Sequence, residues 1–299
     1  MMAAVKRGGL GQYYNVNGWL FVAPALALIS LFMIYPIVRS LVLSLYSGKG
    51  MMMKFAGLGN ITRLVNDPVF LKALTNTMTF FVIQVPIMLT FALLLAVALN
   101  NPKLRYSGLF RTLIFLPCVS SLVAYSILFK SMFAVDGVVN NTLMMIGVMS
   151  TPISWLTDPF WAKVLIIIAI TWRWTGYNMI FYLAALQNID RSIYEAARID
   201  GIPPWRRFVH LTVPMLKPVI LFTTITSTIG TLQLFDEVYS LTEGKGGPAD
   251  ATLTLSLYIY NLTFRFMPNF GYAATVSYVI VLMVALLSMV QFYAARERQ

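Results

Sequence analysis

The sequence has few charged groups and almost no cysteine or histidine. Charged residues make up 11% of the 299 residues, under half of the roughly 25% typical of soluble domains, so a large soluble catalytic domain is excluded. The single cysteine, Cys118, excludes an intrachain disulfide and a zinc site built on cysteines. The single histidine, His210, excludes the His-Glu-x-x-His site of metalloproteases. We therefore expect no metal site and no catalytic residues.

Nucleotide-binding and hydrolase motifs are also missing. The sequence contains no Gly-x-x-x-x-Gly-Lys-[Ser/Thr], which excludes an ATPase of the P-loop type, and no Gly-x-Ser-x-Gly. A net charge of +11 would suggest nucleic acid in a soluble protein. Here the basic residues lie between apolar runs, where they orient a membrane protein that crosses the bilayer several times. We expect neither a nucleic-acid partner nor an enzyme.

What the sequence does contain is long apolar runs, since 59% of its residues are hydrophobic and its mean hydropathy is +0.75. A membrane-spanning helix needs about 20 mostly apolar residues. The six predicted spans are approximately residues 19–46, 73–100, 107–129, 160–187, 214–235 and 270–294. This pattern predicts an all-α integral membrane fold with six transmembrane helices in residues 19–299, preceded by an N-terminal segment of residues 1–18.

The distribution of Lys and Arg predicts the orientation of these spans. An even number of spans places both termini on one side of the membrane, and Lys and Arg are more frequent on that side, mainly because of the segment after the fourth span. Basic residues concentrate on the cytoplasmic side of membrane proteins. We expect both termini, including residues 1–18, to be cytoplasmic.

The charged segment at residues 190–217 contains residues that typically begin and end helices. Ser192 and Glu195 have the spacing of a capping box that begins a helix, and Gly201 is placed to end it. Pro204 suits the start of a second short helix. Composition favours an interfacial helix that binds acidic lipid headgroups through its tryptophan and arginines. The alternative is a docking element for another protein.

The spacing in this loop resembles the EAA loop of binding-protein-dependent ABC importers. The matching residues are Glu195-Ala196-Ala197, then Gly201 after three residues, Leu211 after nine more, and Val213-Pro214. The family pattern has Ile and Leu where this chain has Leu211 and Val213. In that family the loop is a cytoplasmic coupling helix that fits a cleft on the ATP-hydrolysing subunit. The resemblance thus assigns ATPase coupling to Glu195, Ala196, Ala197, Asp200, Gly201 and Pro214.

Two further segments resemble the carbohydrate branch of that family, which includes the maltose, lactose and glycerol-3-phosphate importer permeases. They are Trp174 to Ile189 before the loop, and Phe235-Asp236-Glu237-Val238-Tyr239-Ser240-Leu241-Thr242 with Gly246-Gly247-Pro248 after it. In this chain the spacing from Thr242 to Gly246 is longer than usual. The resemblance implies a type I importer permease in the bacterial inner membrane. It implies a second permease, two subunits that bind ATP and Mg²⁺, an extracytoplasmic sugar-binding protein and a carbohydrate substrate as partners.

A solute pathway needs hydrogen-bonding groups inside the membrane. Thr223, Ser227 and Thr231 recur every four residues and share a helix face, although small hydroxyl residues also favour close helix packing. A charged residue such as Arg173 should face the bundle interior, either as a ligand group or paired with Asp236 or Glu237. The predicted pathway residues are Arg173, Trp174, Tyr177, Asn178, Thr223, Ser227 and Thr231.

A second function also fits a six-span protein with an intramembrane arginine. Arg173 with Asp236 or Glu237 would serve a secondary transporter driven by an ion gradient. Carboxylates occur only at the span edges, however, and that mechanism leaves the charged cytoplasmic loop unused. We favour the ATP-driven importer. The sequence does not determine which sugar it carries.

Overall fold

The computed structural model describes residues 8–50 and 52–296, and it is predominantly helical. Within those residues the α-helices, in chain order, are α1 (Gly8–Ile29), α2 (Tyr35–Ser44), α3 (Gly59–Asn66), α4 (Pro68–Leu99), α5 (Ser107–Val119), α6 (Leu122–Met132), α7 (Val138–Met145), α8 (Pro159–Gln187), α9 (Arg191–Ile199), α10 (Pro204–Arg207), α11 (Val213–Met215), α12 (Lys217–Leu232), α13 (Asp236–Thr242), α14 (Leu255–Tyr260) and α15 (Phe270–Arg296). Turns of π-helix occur at Ser30–Ile34, Phe208–Thr212 and Asn261–Arg265, and Pro248–Asp250 forms a 3₁₀ turn.

Four continuous helical segments are long and apolar enough to cross a membrane, and two bent helix pairs raise the number to six. The continuous segments are Asn17–Ser44, Pro68–Leu99, Pro159–Gln187 and Phe270–Ala295. The bent pairs are Ser107–Val119 with Leu122–Met132, at 100°, and Pro204–Met215 with Lys217–Leu232, at 71°. The predicted helical membrane fold is confirmed, but its third span is a broken helix, and its fifth span begins at the bend between Met215 and Lys217.

The break in the third predicted span follows from its sequence. Pro117 lies in the last turn of α5, where it has no N–H to donate to the helix. Ser120 and Ser121 then adopt extended backbone conformations. The Ser120 hydroxyl donates to the Pro117 carbonyl oxygen over 2.8 Å, so the side chain satisfies a carbonyl at the helix end. Proline and serine near the middle of an apolar run therefore produce a sharp bend.

The first predicted span, residues 19–46, also differs from the structure at its edges. The helix begins at Gly8 and continues through a π turn to Ser44, so residues 8–18 are helical. Residues 1–7 of the predicted N-terminal segment lie outside the described residues. After Ser44 the chain forms an antiparallel hairpin of β1 (Tyr46–Lys49) and β2 (Met52–Phe55), in which Tyr46 pairs with Phe55. The all-α prediction missed this hairpin.

Helices α4 and α8 form the centre of the fold and run parallel. Each begins at a proline that follows a capping aspartate: Asp67 accepts hydrogen bonds from Val69 N and Phe70 N, and Asp158 from Phe160 N and Trp161 N. Their N-terminal halves share one buried core and their C-terminal ends share a second. The loop that follows α8 therefore lies at the opposite end of the bundle from the two aspartate caps.

Candidate functional site

A cavity of about 420 Å³ lies among α4, α8, α12 and the turn into α13. Its lining combines aromatic, amide, hydroxyl and carboxyl side chains, and it includes no Lys, Arg or His among the described residues. The residues that line it are Gln84, Met88, Ile170, Trp174, Tyr177, Asn178, Thr226, Ser227, Gly230, Thr231, Gln233, Leu234, Phe235, Asp236 and Glu237. A concave site of apolar and aromatic surface with a few placed polar groups is typical of small-molecule binding.

Uncharged polar groups connect the three long helices around this cavity. Thr231 donates to Gln84 Oε1 over 3.1 Å, which joins α12 to α4. Ser227 donates to Asn178 Oδ1 over 3.4 Å, which joins α12 to α8. Gln84 and Asn178 are both buried, at 0% and 3% exposure. Gln84 Nε2 contacts the sulfur of Met88, a weak acceptor, so it retains hydrogen-bonding capacity for a ligand. Asn178 Nδ2 donates to the Trp174 carbonyl oxygen over 3.1 Å and also contacts the Met88 sulfur.

Two aromatic rings from α8 form another part of the wall. Trp174 and Tyr177 pack edge to face, with ring centroids 5.7 Å apart. The Trp174 indole N–H donates to Glu237 Oε1 over 2.9 Å. Tyr177 is 39% exposed in the isolated chain. Large rings beside hydrogen-bonding groups suit a ligand that has one apolar face and a hydroxyl rim.

Arg173 lies behind the cavity wall and is not among the lining residues. Its Nε is 3.6 Å from Glu237 Oε1, and the two side chains are 12% and 7% exposed. The guanidinium lies 5.0 Å from the centroid of the Tyr125 ring, within cation–π distance. The structural-bridge alternative for Arg173, with Glu237 as the partner, thus matches the geometry. Removing one member of such a pair leaves a buried charge and costs about 3–5 kcal/mol.

The three predicted hydroxyls of α12 occupy different environments. Ser227 and Thr231 line the cavity. Thr223, two turns before Thr231, is fully buried, and its hydroxyl lies 2.6 Å from the hydroxyl of Tyr182 on α8. Thr223 therefore contacts a neighbouring helix and does not face the cavity. The four-residue spacing identified one helix face but not how far along it the cavity extends.

The pathway residues predicted from the sequence do not include several residues that line the cavity. Gln84 and Gln233 had a usable signal, because an amide inside an apolar run is costly unless it has a polar partner. Asp236 and Glu237 were predicted only as ion-pair partners of Arg173, and not as residues that line the pathway. Met88 and Gly230 carry no such signal, because methionine and glycine are common in membrane helices. Within the described residues, no group of three or more His, Cys, Asp or Glu side chains could hold a metal ion.

At the other end of α8, the charged loop forms the predicted short helices α9 and α10. The helix cap differs from the prediction: Asp190 accepts the hydrogen bond from Ser192 N over 2.9 Å, so Asp190 and not Ser192 is the N-cap residue. This backbone hydrogen bond, with a second from the Ser192 side chain, lowers the pKa of Asp190 below its usual value. The helix starts at Arg191, two residues earlier than a Ser192 cap would allow.

Gly201 ends α9 as the sequence predicts. Its φ is +70°, a left-handed conformation that glycine adopts without steric cost. Gly201 N donates to Arg198 O over 3.1 Å and Ile202 N donates to Ala197 O over 3.0 Å, which is the Schellman arrangement. The chain reverses sharply here and leads directly into Pro203 and α10.

The predicted coupling residues divide into an exposed set and a buried anchor. Ala197 is 5% exposed and packs against the protein. The exposed residues are Glu195, Ala196, Asp200, Gly201 and Pro214. An adjacent groove of about 630 Å³ is lined by Asp200, Gly201, Ile202, Pro203, Trp205, Arg206, His210 and Leu211. The loop thus presents small side chains, a free carboxylate and a groove on one surface.

Comparison with known proteins identifies the family. Residues 56–299 match the family described as the binding-protein-dependent transport system inner membrane component. The chain is 80% identical over 298 residues, all of both chains, to the lactose transport system permease protein LacF of Rhizobium radiobacter. It is 33% identical to the arabinooligosaccharides transport system permease protein AraP of Halalkalibacterium halodurans, covering 96% of this chain and 91% of that one.

A solved structure has the same fold. It is a bacterial alginate ABC transporter in complex with an alginate pentasaccharide-bound periplasmic protein, and the match has a TM-score of 0.83 at 22% identity over 98% of both chains. Nothing in these comparisons supports an ion-gradient transporter. The chain belongs to the family of inner membrane components of binding-protein-dependent transport systems, that is, the permease subunits of ABC importers.

Proposed function

We propose that this chain is the permease subunit of an ATP-driven sugar importer and forms half of its translocation pathway. The observation that carries the proposal is the cavity among α4, α8 and α12, where aromatic rings adjoin an uncharged hydrogen-bonding network. Pyranose sugars have an apolar face and a rim of hydroxyls, which these groups complement. Trp174, Tyr177, Asn178, Ser227 and Thr231 would contact the sugar, whereas Arg173 and Thr223 would support them from behind.

We propose lactose as the substrate to test first. The choice rests on the 80% identity over the whole chain to a lactose permease. The absence of Lys, Arg and His among the described lining residues also suits a neutral sugar better than an acidic one. The extracytoplasmic binding protein would set much of the selectivity, because it delivers the sugar.

The loop of α9 and α10 would couple this chain to ATP hydrolysis on a partner. Gly201 and Ala196 let another backbone approach closely, and the exposed Glu195 can accept a charge-assisted hydrogen bond across an interface. Asp200 and Pro214 lie on the same loop, and Ala197 anchors it to the bundle. ATP and Mg²⁺ would bind to the partner ATPase, and this chain would hold no cofactor.

The assembled importer would contain this chain, a second permease, two ATPase subunits and an extracytoplasmic sugar-binding protein, in a bilayer whose lipids contact the apolar helix faces. The coupling loop would be cytoplasmic, which makes the Asp67 end of α4 extracytoplasmic. An even number of spans then places both termini in the cytoplasm. Closure of the ATPases would move α9 as a rigid body, and the cavity would then open to the opposite side of the membrane.

Affinity purification in mild detergent, followed by mass spectrometry, tests this assembly. We expect an ATPase and a second permease in stoichiometric amounts with the wild-type chain. A Glu195→Arg variant should retain the second permease and lose the ATPase, because the new charge opposes docking. A control variant, Lys54→Glu in the hairpin at the other end of the bundle, should retain both. Recovery of the chain without any ATPase, with lactose transport intact, would overturn the proposal.

A further inference from the structure

We propose that Glu237 positions Trp174, so that the indole offers its ring face, and not its N–H, to the sugar. The inference rests on the proposed function and adds a specificity-determining contact to it. Glu237 lies on α13 and Trp174 lies 63 positions earlier on α8, so the bond between them is a tertiary constraint on the wall of the cavity.

Two contacts fix the Trp174 ring from different sides. The indole N–H donates to Glu237 Oε1 over 2.9 Å. The ring packs against Tyr177 with an interplanar angle of 89°. Glu237 is 6% exposed, so water competes little for its oxygen. The Arg173 guanidinium lies over the ring, 5.8 Å from its centroid. With its N–H occupied, the part of Trp174 left for a ligand is the ring surface on the cavity side.

The charge on Glu237 is compensated behind the wall. Arg173 and Trp174 are adjacent on α8, and both approach the same oxygen, Glu237 Oε1, at 3.6 Å and 2.9 Å. The Arg173 guanidinium also lies 5.0 Å from the centroid of the Tyr125 ring and 5.8 Å from that of the Trp174 ring, and Arg173 itself does not line the cavity. A carboxylate that is neutralised in this way can orient an indole without adding a net charge next to the ligand.

In this arrangement the aromatic ring and the polar side chains would contact different parts of the sugar. Sugar C–H groups are weakly polarised and pack on the electron-rich face of an aromatic ring, whereas sugar hydroxyls need hydrogen-bonding partners. Asn178 and Ser227 supply such partners on the same cavity wall. An indole free to rotate would offer its N–H to hydroxyls and lose the stacking geometry.

The test uses the complete transporter in proteoliposomes with its binding protein, ATP and radiolabelled lactose. The readout is the amount of lactose imported per ATP hydrolysed. Glu237→Gln keeps an acceptor oxygen and loses the charge, whereas Glu237→Leu loses both. Trp174→Phe keeps an aromatic ring without the N–H, and Trp174→Ala removes the ring. We expect Trp174→Ala and Glu237→Leu to lower the ratio about tenfold, and Glu237→Gln and Trp174→Phe by about threefold or less.

A double-mutant cycle separates positioning from the ion pair. Both Glu237 variants lack the charge that pairs with Arg173, so the difference between them excludes the ion pair and reports the polar amide of Gln, whose oxygen can accept from the indole N–H. We expect that difference to vanish in the Trp174→Phe background. Equal losses for the Gln and Leu variants, or a difference that persists without the indole N–H, would overturn the proposal. If wild-type transporter imports no lactose, lactose is the wrong substrate, and the orientation of Trp174 is then tested spectroscopically without it.

A spectroscopic measurement covers the case in which a Leu variant does not assemble. The ultraviolet resonance Raman difference between wild-type transporter and Trp174→Phe isolates the indole of Trp174. We expect a hydrogen-bonded N–H signal that stays constant when lactose is added. A free N–H before lactose, or an N–H signal that shifts on lactose addition, would contradict the assigned orientation.

Discussion

Helices α5 and α8 approach so closely at Gly176 that we expect any side chain at this position to clash with α5. A Cβ atom built on Gly176 would lie 2.0 Å from the carbonyl oxygen of Ile114 and 2.9 Å from the Cα of Phe115. Both are backbone atoms, so no side chain can rotate away and the helices must separate. Overpacking of this kind costs about 1–3 kcal/mol, and more when backbone must move. At about 2–4 °C per kcal/mol, we expect Gly176→Ala to lower the melting temperature of the transporter in detergent by roughly 5 °C or more.

Gly108→Ala is the matched control, because Gly108 lies in α5 and its added Cβ would have no atom within 4 Å. Alanine favours a helix over glycine by about 1 kcal/mol, so this variant should be as stable as wild type or more stable. Thermal denaturation followed by size-exclusion chromatography measures both. If Gly176→Ala had the same melting temperature as the Gly108→Ala control, the close approach of α5 and α8 would be refuted.

Three further predictions follow from other parts of the structure. Gly201→Asp should keep the chain inserted and abolish normal lactose uptake, while Gly201→Asn should keep more uptake because asparagine tolerates a positive φ; normal uptake by the Asp variant at wild-type expression would count against the coupling role. Thr223→Val should lower the melting temperature through the lost bond to its tyrosine partner, yet keep lactose imported per ATP near wild type; a selective loss of import would instead place Thr223 in the pathway. Burial raises the pKa of Asp67, but hydrogen bonds from Tyr258, Tyr272 and two backbone amides outweigh it and lower that pKa overall. The stabilisation by Asp67 should therefore be complete above the unfolded pKa of about 4 and be lost as the pH falls through the lower folded value. Melting temperatures of wild type and of Tyr258→Phe/Tyr272→Phe should differ most near neutral pH, and a gap that widens in acid would contradict this assignment.

Hydropathy predicted where the chain is apolar, but not where its helices break. The run at residues 107–129 satisfies the length rule, yet the structure bends it by 100° after Val119. A window average gives Pro117 and the two serines after it no special weight, although they determine the local backbone. The hairpin at residues 46–55 is too short and too rich in glycine and lysine for the apolar pattern to predict it.

The sequence predicts part of the cavity lining, because several lining residues lie close together in the chain. Trp174, Tyr177 and Asn178 lie on one helix, and Ser227 and Thr231 lie on another, so helical periodicity groups each set. Gln84 is 147 positions from its partner Thr231, and no local pattern brings such residues together. The partner of Arg173 stayed open between Asp236 and Glu237, because only the turn into α13 determines which carboxylate faces α8.

The most direct test of the account is the energy source for transport. The chain is reconstituted in proteoliposomes with its copurifying permease, ATPase and binding protein, and lactose uptake is measured with internal ATP or with an imposed proton or sodium gradient. We predict uptake that requires ATP and the binding protein, survives collapse of both gradients and disappears in Gly201→Asp. Uptake driven by a gradient without ATP would contradict the account.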